Sequence, residues 1–243
     1  MTQKIHFISY GNDLYKSSKE RIRNEAQNSH WFDTVNVYGP EILEPSFRKR
    51  FSSILSMKRG GGYWIWKSYI IHKRLQEIND DDILVYLDAG CTINIKGETR
   101  FREYLDMLNK QDNGIVSFQT HLAEKMYTVK EIFQHFNVEL DGEHANTGQY
   151  VGGIMVIKKN THSIKLINMW LDTLYNKPDL FTDKYNKQNQ QPQFRDNRHD
   201  QSIFSIIRKI HKTIVLKDES WVKGGNFGNK ESLKYPFWAT RKV

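Results

Sequence analysis

Asp82-Ile83-Leu84-Val85-Tyr86-Leu87-Asp88-Ala89-Gly90 is the stretch on which the reading of the chain turns. Ile83 to Leu87 are five apolar residues in a row with no polar alternation, so the strand they form is expected in the middle of a parallel sheet, covered on both faces. A carboxylate, Asp88, stands where that strand must end, and two small residues follow it. Ligands of open α/β sheets bind beyond the carboxyl ends of the strands, which places Asp88 toward a ligand. An Asx turn closing the strand would account for the same position.

Upstream of this stretch the chain has βαβ rhythm. Residues 4–13 read as an opening strand that stops at Gly11, making Ser9, Tyr10 and Gly11 candidate contacts for a nucleotide. A charged helix is expected from Ser17, read as its cap, to Asn28, followed by a strand at Thr34 to Tyr38. Arg21 on that helix reaches either the nucleotide or solvent. Pro45 to Met57 reads as helical and ends near Gly60-Gly61-Gly62, where glycines permit left-handed backbone angles or the close approach of a ligand. Tyr63-Trp64-Ile65-Trp66-Lys67 then opens a helix through Glu77, and Trp64 and Trp66 either stack on a sugar face or pack the core, the core being the favoured reading.

Downstream the expected elements are a helix at 99–110, a strand at 115–118, a helix at 129–136 and a strand at 150–158 that contains Gly152-Gly153. An amphipathic helix at 163–175 follows. The polar stretch 177–197, rich in Gln and Asn and with two prolines, is expected to be a mobile surface loop. A helix at 199–210 and a strand at 213–216 precede a glycine-rich and aromatic tail.

Length and composition narrow the classes. At 243 residues the chain suits one large α/β domain, and 13% aromatic residues are enough to fill a core and still line a pocket. No apolar run approaches the roughly 18 residues that span a bilayer, and no signal-peptide core follows Met1, so a cytoplasmic protein is expected. A single cysteine, Cys91, excludes an internal disulfide and is read as a small buried residue. The nine histidines show no helical zinc spacing. A net charge of +8 favours an anionic partner: a phosphorylated small molecule, an acidic membrane surface or nucleic acid. No nucleic-acid module accompanies it, and Phe47-Arg48-Lys49-Arg50 is the densest basic block.

Transfer of a sugar from a nucleotide donor leaves a diphosphate whose growing negative charge must be neutralised, either by a divalent cation on oxygen ligands or by basic side chains. Asp88 is the candidate anchor for such a cation, with Arg59 and Lys67 as phosphate partners. Arg59 to Lys67, Asp82 to Gly90, Gln149-Tyr150-Val151-Gly152-Gly153-Ile154-Met155-Val156-Ile157 and Arg198-His199-Asp200-Gln201-Ser202, in this order and spacing, resemble the bacterial and viral glycosyltransferases of the GT-A fold that build capsule, lipopolysaccharide or capsid glycans. The resemblance runs through most of the chain. It implies a Rossmann-like α/β domain with a mostly parallel central sheet flanked by helices, residues 1–110 binding the nucleotide-sugar, commonly a UDP-sugar, and residues 111–243 the acceptor.

The resemblance also implies roles. The end of the first strand contacts base and ribose, and Asp88-Ala89-Gly90 stands for the Asp-X-Asp element that holds Mn²⁺ or Mg²⁺ and the donor ribose, with glycine in place of the second carboxylate. Asp200, in His199-Asp200-Gln201, becomes the candidate catalytic carboxylate: a base toward the acceptor hydroxyl in an inverting reaction, an orienting group in a retaining one. Capping of the following helix is its ordinary alternative. Gly152, Gly153, His199 and Gln201 are candidate sugar contacts; otherwise the Gly152-Gly153 pair marks a bulge in its strand. The expected partners are thus a nucleotide-sugar, a glycan or lipid-linked acceptor and an acidic membrane face. A nucleotidyltransferase, which needs a glycine-rich loop after the first strand, and a non-catalytic nucleic-acid-binding protein are the competing readings.

Overall fold

A computed structural model describes residues 2–242. Along the chain run β1 (Ile5–Tyr10), α1 (Lys16–Ser29), β2 (Thr34–Tyr38), α2 (Trp66–Glu77), β3 (Ile83–Leu87), β4 (Thr92–Ile93) and α3 (Glu98–Lys110). They are followed by β5 (Ile115–Ala123), β6 (Gly148–Tyr150), β7 (Ile154–Lys158), α4 (Thr161–Asn176), α5 (Asp200–His211), β8 (Ile214–Lys217) and β9 (Phe237–Trp238).

Seven strands form one sheet in the order β2-β1-β3-β7-β5-β6, with β8 also paired to β5. Five of them run the same way, whereas β7 and β6 oppose their neighbours. The apolar run of β3 is buried on both faces, as its composition requires. Leu84 and Tyr86 point into a core completed by α2, α4 and α5. Ile83, Val85 and Leu87 point into a second core completed by α1 and α3. Each such buried aliphatic side chain stabilises the fold by roughly 1.5–3 kcal/mol.

Because β7 runs against β3, its first residues lie beside the last residues of β3, and the Asp88 amide donates to the Gly153 carbonyl at 2.9 Å. A second, two-stranded sheet of β4 and β9 returns the C-terminal segment to the same place. There the Lys242 amide and the Thr240 hydroxyl both donate to the Gly90 carbonyl, at 3.0 and 2.8 Å.

Several expectations are corrected. The strand expected at 150–158 is two strands, and Val151-Gly152-Gly153 is the break between them. The wholly buried Arg208 of α5 holds that break by donating to the carbonyls of Tyr150 and Val151, at 3.3 and 2.9 Å. Ser17 does not cap α1, which starts at Lys16 with no side-chain cap bond. The helix expected at 45–57 is two short turns, Pro45–Arg50 and Ser52–Leu55. Stretch 177–197 is anchored at both ends, with Phe181 and Asn197 fully buried, because apolar Leu180 and Phe181 lie inside an otherwise polar run. Among the described residues no helix is long and apolar enough to cross a membrane.

Candidate active site

The carboxyl ends of β1 and β3, the amino end of α5 and the C-terminal segment surround a cleft of about 1160 Å³. At its floor three charged side chains meet. The Lys67 ammonium lies 2.9 Å from Asp200 Oδ2 and 3.2 Å from Asp88 Oδ1, and donates to the Gly152 carbonyl at 3.2 Å. Lys67 comes from the first turn of α2, Asp88 from the end of β3 and Asp200 from the first turn of α5, so three separate elements build the cluster. Burial works against the charge on Lys67, but the two carboxylates outweigh it and its pKa is raised.

The two aspartates differ in surroundings. The Asp200 side chain is 4% exposed, and burial raises its pKa to about 6 against the opposing pull of Lys67. Its 2.9 Å contact with Lys67 is an ion pair off the line of a directed hydrogen bond, so Oδ2 has no aligned donor. The Asp88 side chain is 38% exposed to the cleft. Its Oδ1 also accepts from the Tyr86 hydroxyl, whose pKa is raised by burial and then by Asp88 itself. Asp200 is the first residue of α5, and His199, in the capping position, makes no side-chain cap bond. Helix capping therefore does not account for Asp200.

Glycines let these parts approach. A β-carbon on Gly153 would lie 2.6 Å from Asp88 Oδ2 and would force that carboxylate to turn aside. Gly60, at φ +60°, has the Trp64 ring where a β-carbon would be built, at 2.3 Å.

The other predicted site residues divide into two groups. Tyr10, Gly11, Arg59, Lys67, Asp88, Ala89, Gly90, Gly153, His199, Asp200 and Gln201 all line the cleft. Ser9 and Gly152 do not: Ser9 is wholly buried, and Gly152 serves through its backbone, holding Lys67 with its carbonyl and Gln201 Oε1 with its amide at 3.0 Å. Gln201 also donates to Gln149 at 2.6 Å, so its amide is engaged on both sides as a support. His199 is buried between Tyr63 and Trp64 and donates through Nδ1 to the Phe181 carbonyl at 3.0 Å. Burial and then the nearby Arg59 charge lower its pKa to about 4, which keeps the ring neutral near pH 7.

Arg59 stands at the rim, paired with Asp196 at 2.6 Å and Asp183 at 3.5 Å. Trp66 is core as expected, stacked on Tyr10 with centroids 3.9 Å apart; Trp64 is half-buried on the cleft wall. Arg21 does not line the cleft, and its side chain is 25% exposed. It clamps the loop after β3 from behind, donating to the carbonyls of Ala89 at 2.7 Å and Cys91 at 2.8 Å. Cys91 is buried.

No family model matches the chain, and no curated protein matches its sequence. Among solved structures, a glycosyltransferase involved in the glycosylation of the major capsid of PBCV-1 superposes with a TM-score of 0.56 at 11% identity, over 97% of this chain and 92% of its own. The fold is GT-A. Mouse xyloside xylosyltransferase 1 (TM-score 0.46, 11% identity, 97% and 96% covered) and the galactosyltransferase LgtC, solved with donor and acceptor sugar analogues (0.44, 16%, 87% and 72%), are more distant in shape.

GT-A enzymes usually hold a divalent ion at the Asp-X-Asp element, and the side chains here do not fit one. Asp88 Oδ1 is occupied by Lys67 and Tyr86, and Gly90 offers no carboxylate. A β-carbon at position 90 would meet the Lys242 carbonyl at 3.1 Å and the Arg241 Cα at 3.3 Å. Among the described residues no cluster of three His, Cys, Asp or Glu side chains is placed to hold a metal. Asp88, expected as a metal anchor, thus has one oxygen held by a lysine and a tyrosine, and glycine where the second carboxylate of the element would stand.

Sequence reasoning assigned no role to Arg198 or Arg241, both of which line the cleft. Proximity to Asp200 was a signal for Arg198. Arg241 had none, because its contact with Gly90 spans 151 positions of chain.

Proposed function

We propose that the chain is a nucleotide-sugar-dependent glycosyltransferase that moves a sugar, with UDP as the first donor nucleotide to try, onto a hydroxyl of a glycan or lipid-linked acceptor in surface-glycan assembly. The observation that carries this reading is the Asp88–Lys67–Asp200 cluster, set at the carboxyl end of the central strand of a GT-A sheet and opening on the cleft. A volume of about 1160 Å³ accommodates donor and acceptor together. Tyr10, Gly11 and Asp88, from residues 1–110, face the donor nucleotide in this reading, and residues 111–243 supply most of the acceptor wall.

In the transfer step the acceptor hydroxyl oxygen bonds to the anomeric carbon. The bond from that carbon to the diphosphate oxygen breaks, and its electron pair leaves with the diphosphate. In an inverting transfer the hydroxyl proton passes to Asp200, whose pKa of about 6 suits a base at neutral pH. Lys67 holds both aspartates in place and keeps Asp200 from turning away. The excess of basic residues is proposed to draw the enzyme to an acidic cytoplasmic membrane face, where a lipid-linked acceptor would lie.

A thermal-shift screen against UDP, GDP, dTDP, CMP and their sugars tests the donor class, because a ligand of the folded state raises the melting temperature. Stabilisation by one nucleotide family, followed by release of that nucleotide in the presence of an acceptor, is the expected result. Indifference to all four would remove the proposal.

A further inference from the structure

We propose that this chain neutralises the diphosphate of its donor without a divalent ion, using the guanidinium groups of Arg198 and Arg241. The inference rests on the nucleotide-sugar reading above and deepens it.

The first ground is the donor set already described: one free carboxylate oxygen at Asp88, an ammonium beside it, and position 90 closed by the C-terminal segment. The segment that closes that position also delivers a cation there. Arg241 carries a φ of +55°, an angle uncommon for a residue with a side chain, and its Cα packs against the bare face of Gly90.

The second ground is the charge lining the cleft, where six basic side chains face four aspartates. Lys67 and Arg59 are committed to those aspartates and to Asp183. Arg198 and Arg241 make no ion pair among the described residues. The Arg198 guanidinium lies over the Tyr127 ring at 3.8 Å, and a long 3.4 Å bond to Gln149 is its side-chain hydrogen bond among the described residues. Burial, and then the charge of Arg241, lower its pKa. Arg241 is held over the Trp221 ring at 5.4 Å. An arginine backed by an aromatic ring keeps its N–H fork free for phosphate oxygens. When the anomeric carbon–oxygen bond breaks, the extra charge appears on the leaving diphosphate, and two such forks meet it with no change in any group's proton count.

The test uses the full chain, stripped of metals and titrated calorimetrically with UDP, GDP and dTDP in EDTA and again in Mn²⁺, with the Mn²⁺ electron-spin signal followed in parallel. The expected result is one nucleotide bound in EDTA with an affinity unchanged by Mn²⁺, and no Mn²⁺ immobilised in the mixture. Arg241→Gln, an exposed position whose variant should keep its melting temperature, is expected to weaken that binding by at least about tenfold. Arg198→Lys, which keeps the charge and loses the fork, should weaken it by less than Arg198→Gln. Binding that requires Mn²⁺, or that survives both glutamine variants, would overturn the inference and leave the nucleotide-sugar reading standing. Absence of binding in both conditions would overturn the two together.

Discussion

Asp200 is held between burial, which favours its neutral form, and Lys67, which favours its charge, and burial wins by enough to bring its pKa to about 6. Two outcomes follow for the proposed reaction. As a proton acceptor it must be ionised, so kcat/KM should fall below pH 6 with the slope of a single proton; a limb near 4 would place the base elsewhere. Its effect on stability has the opposite sign. A carboxyl whose folded-state pKa lies above its ordinary 3.8 contributes stability that is fully present below pH 3.8 and is lost as pH rises through about 6. Asp200→Asn should lower kcat by about 10²- to 10⁴-fold while leaving donor affinity nearly intact, as expected of a group acting in the transition state. Equal losses in affinity and turnover would make it a binding residue.

Between elements, the decisive contacts are those that bring β3, β7 and α5 to one point. Gly153 opens β7 against the end of β3, and in Gly153→Ala the new methyl group would push the Asp88 carboxylate away from Lys67. A carboxylate can turn, so the melting temperature should change little while donor affinity falls; calorimetry on the variant checks this. Farther along α5, the Lys209 ammonium lies 3.1 Å from the wholly buried carboxylate of Glu124, which also accepts from Thr128, Gln149 and Ser205. Lys209→Met strands that charge and should cost about 3–5 kcal/mol in urea unfolding. Recovery of most of the loss by adding Glu124→Gln would identify the stranded charge as the cause, and a variant as stable as the parent would show that the pair carries no weight.

For the molecule as a whole, the net charge of +8 acts over distances that single contacts do not reach. Screening limits exposed charges to about 8 Å at physiological ionic strength, so attraction to a membrane should be salt-sensitive. The protein is expected to sediment with anionic vesicles at low salt and to be released as salt rises. Equal partition between neutral and anionic vesicles would remove the proposed membrane partner. If the proposed donor and membrane are drawn by the same basic excess, nucleotide should compete with vesicles only where the cleft itself faces the lipid.

The order of elements was legible because it rests on patterns carried by neighbours in the chain. Ile83 to Leu87 read as a strand covered on both faces, Gly60 to Gly62 as a place for left-handed backbone, and Asp88 as the residue at a strand end. Asp200 was legible through its place in a short motif at a helix start. What the residues did not carry was any contact made across the sheet. That Lys67 stands between Asp88 and Asp200 depends on three elements meeting, and no local pattern encodes it. The antiparallel run of β7, which sets Gly153 against Asp88, is a choice of strand order that periodicity cannot express. Gly90 read as a missing ligand in the sequence; packing shows it as the surface on which the C-terminal segment closes, where a β-carbon would press on the backbone of Arg241 and Lys242 at 3.1 to 3.3 Å.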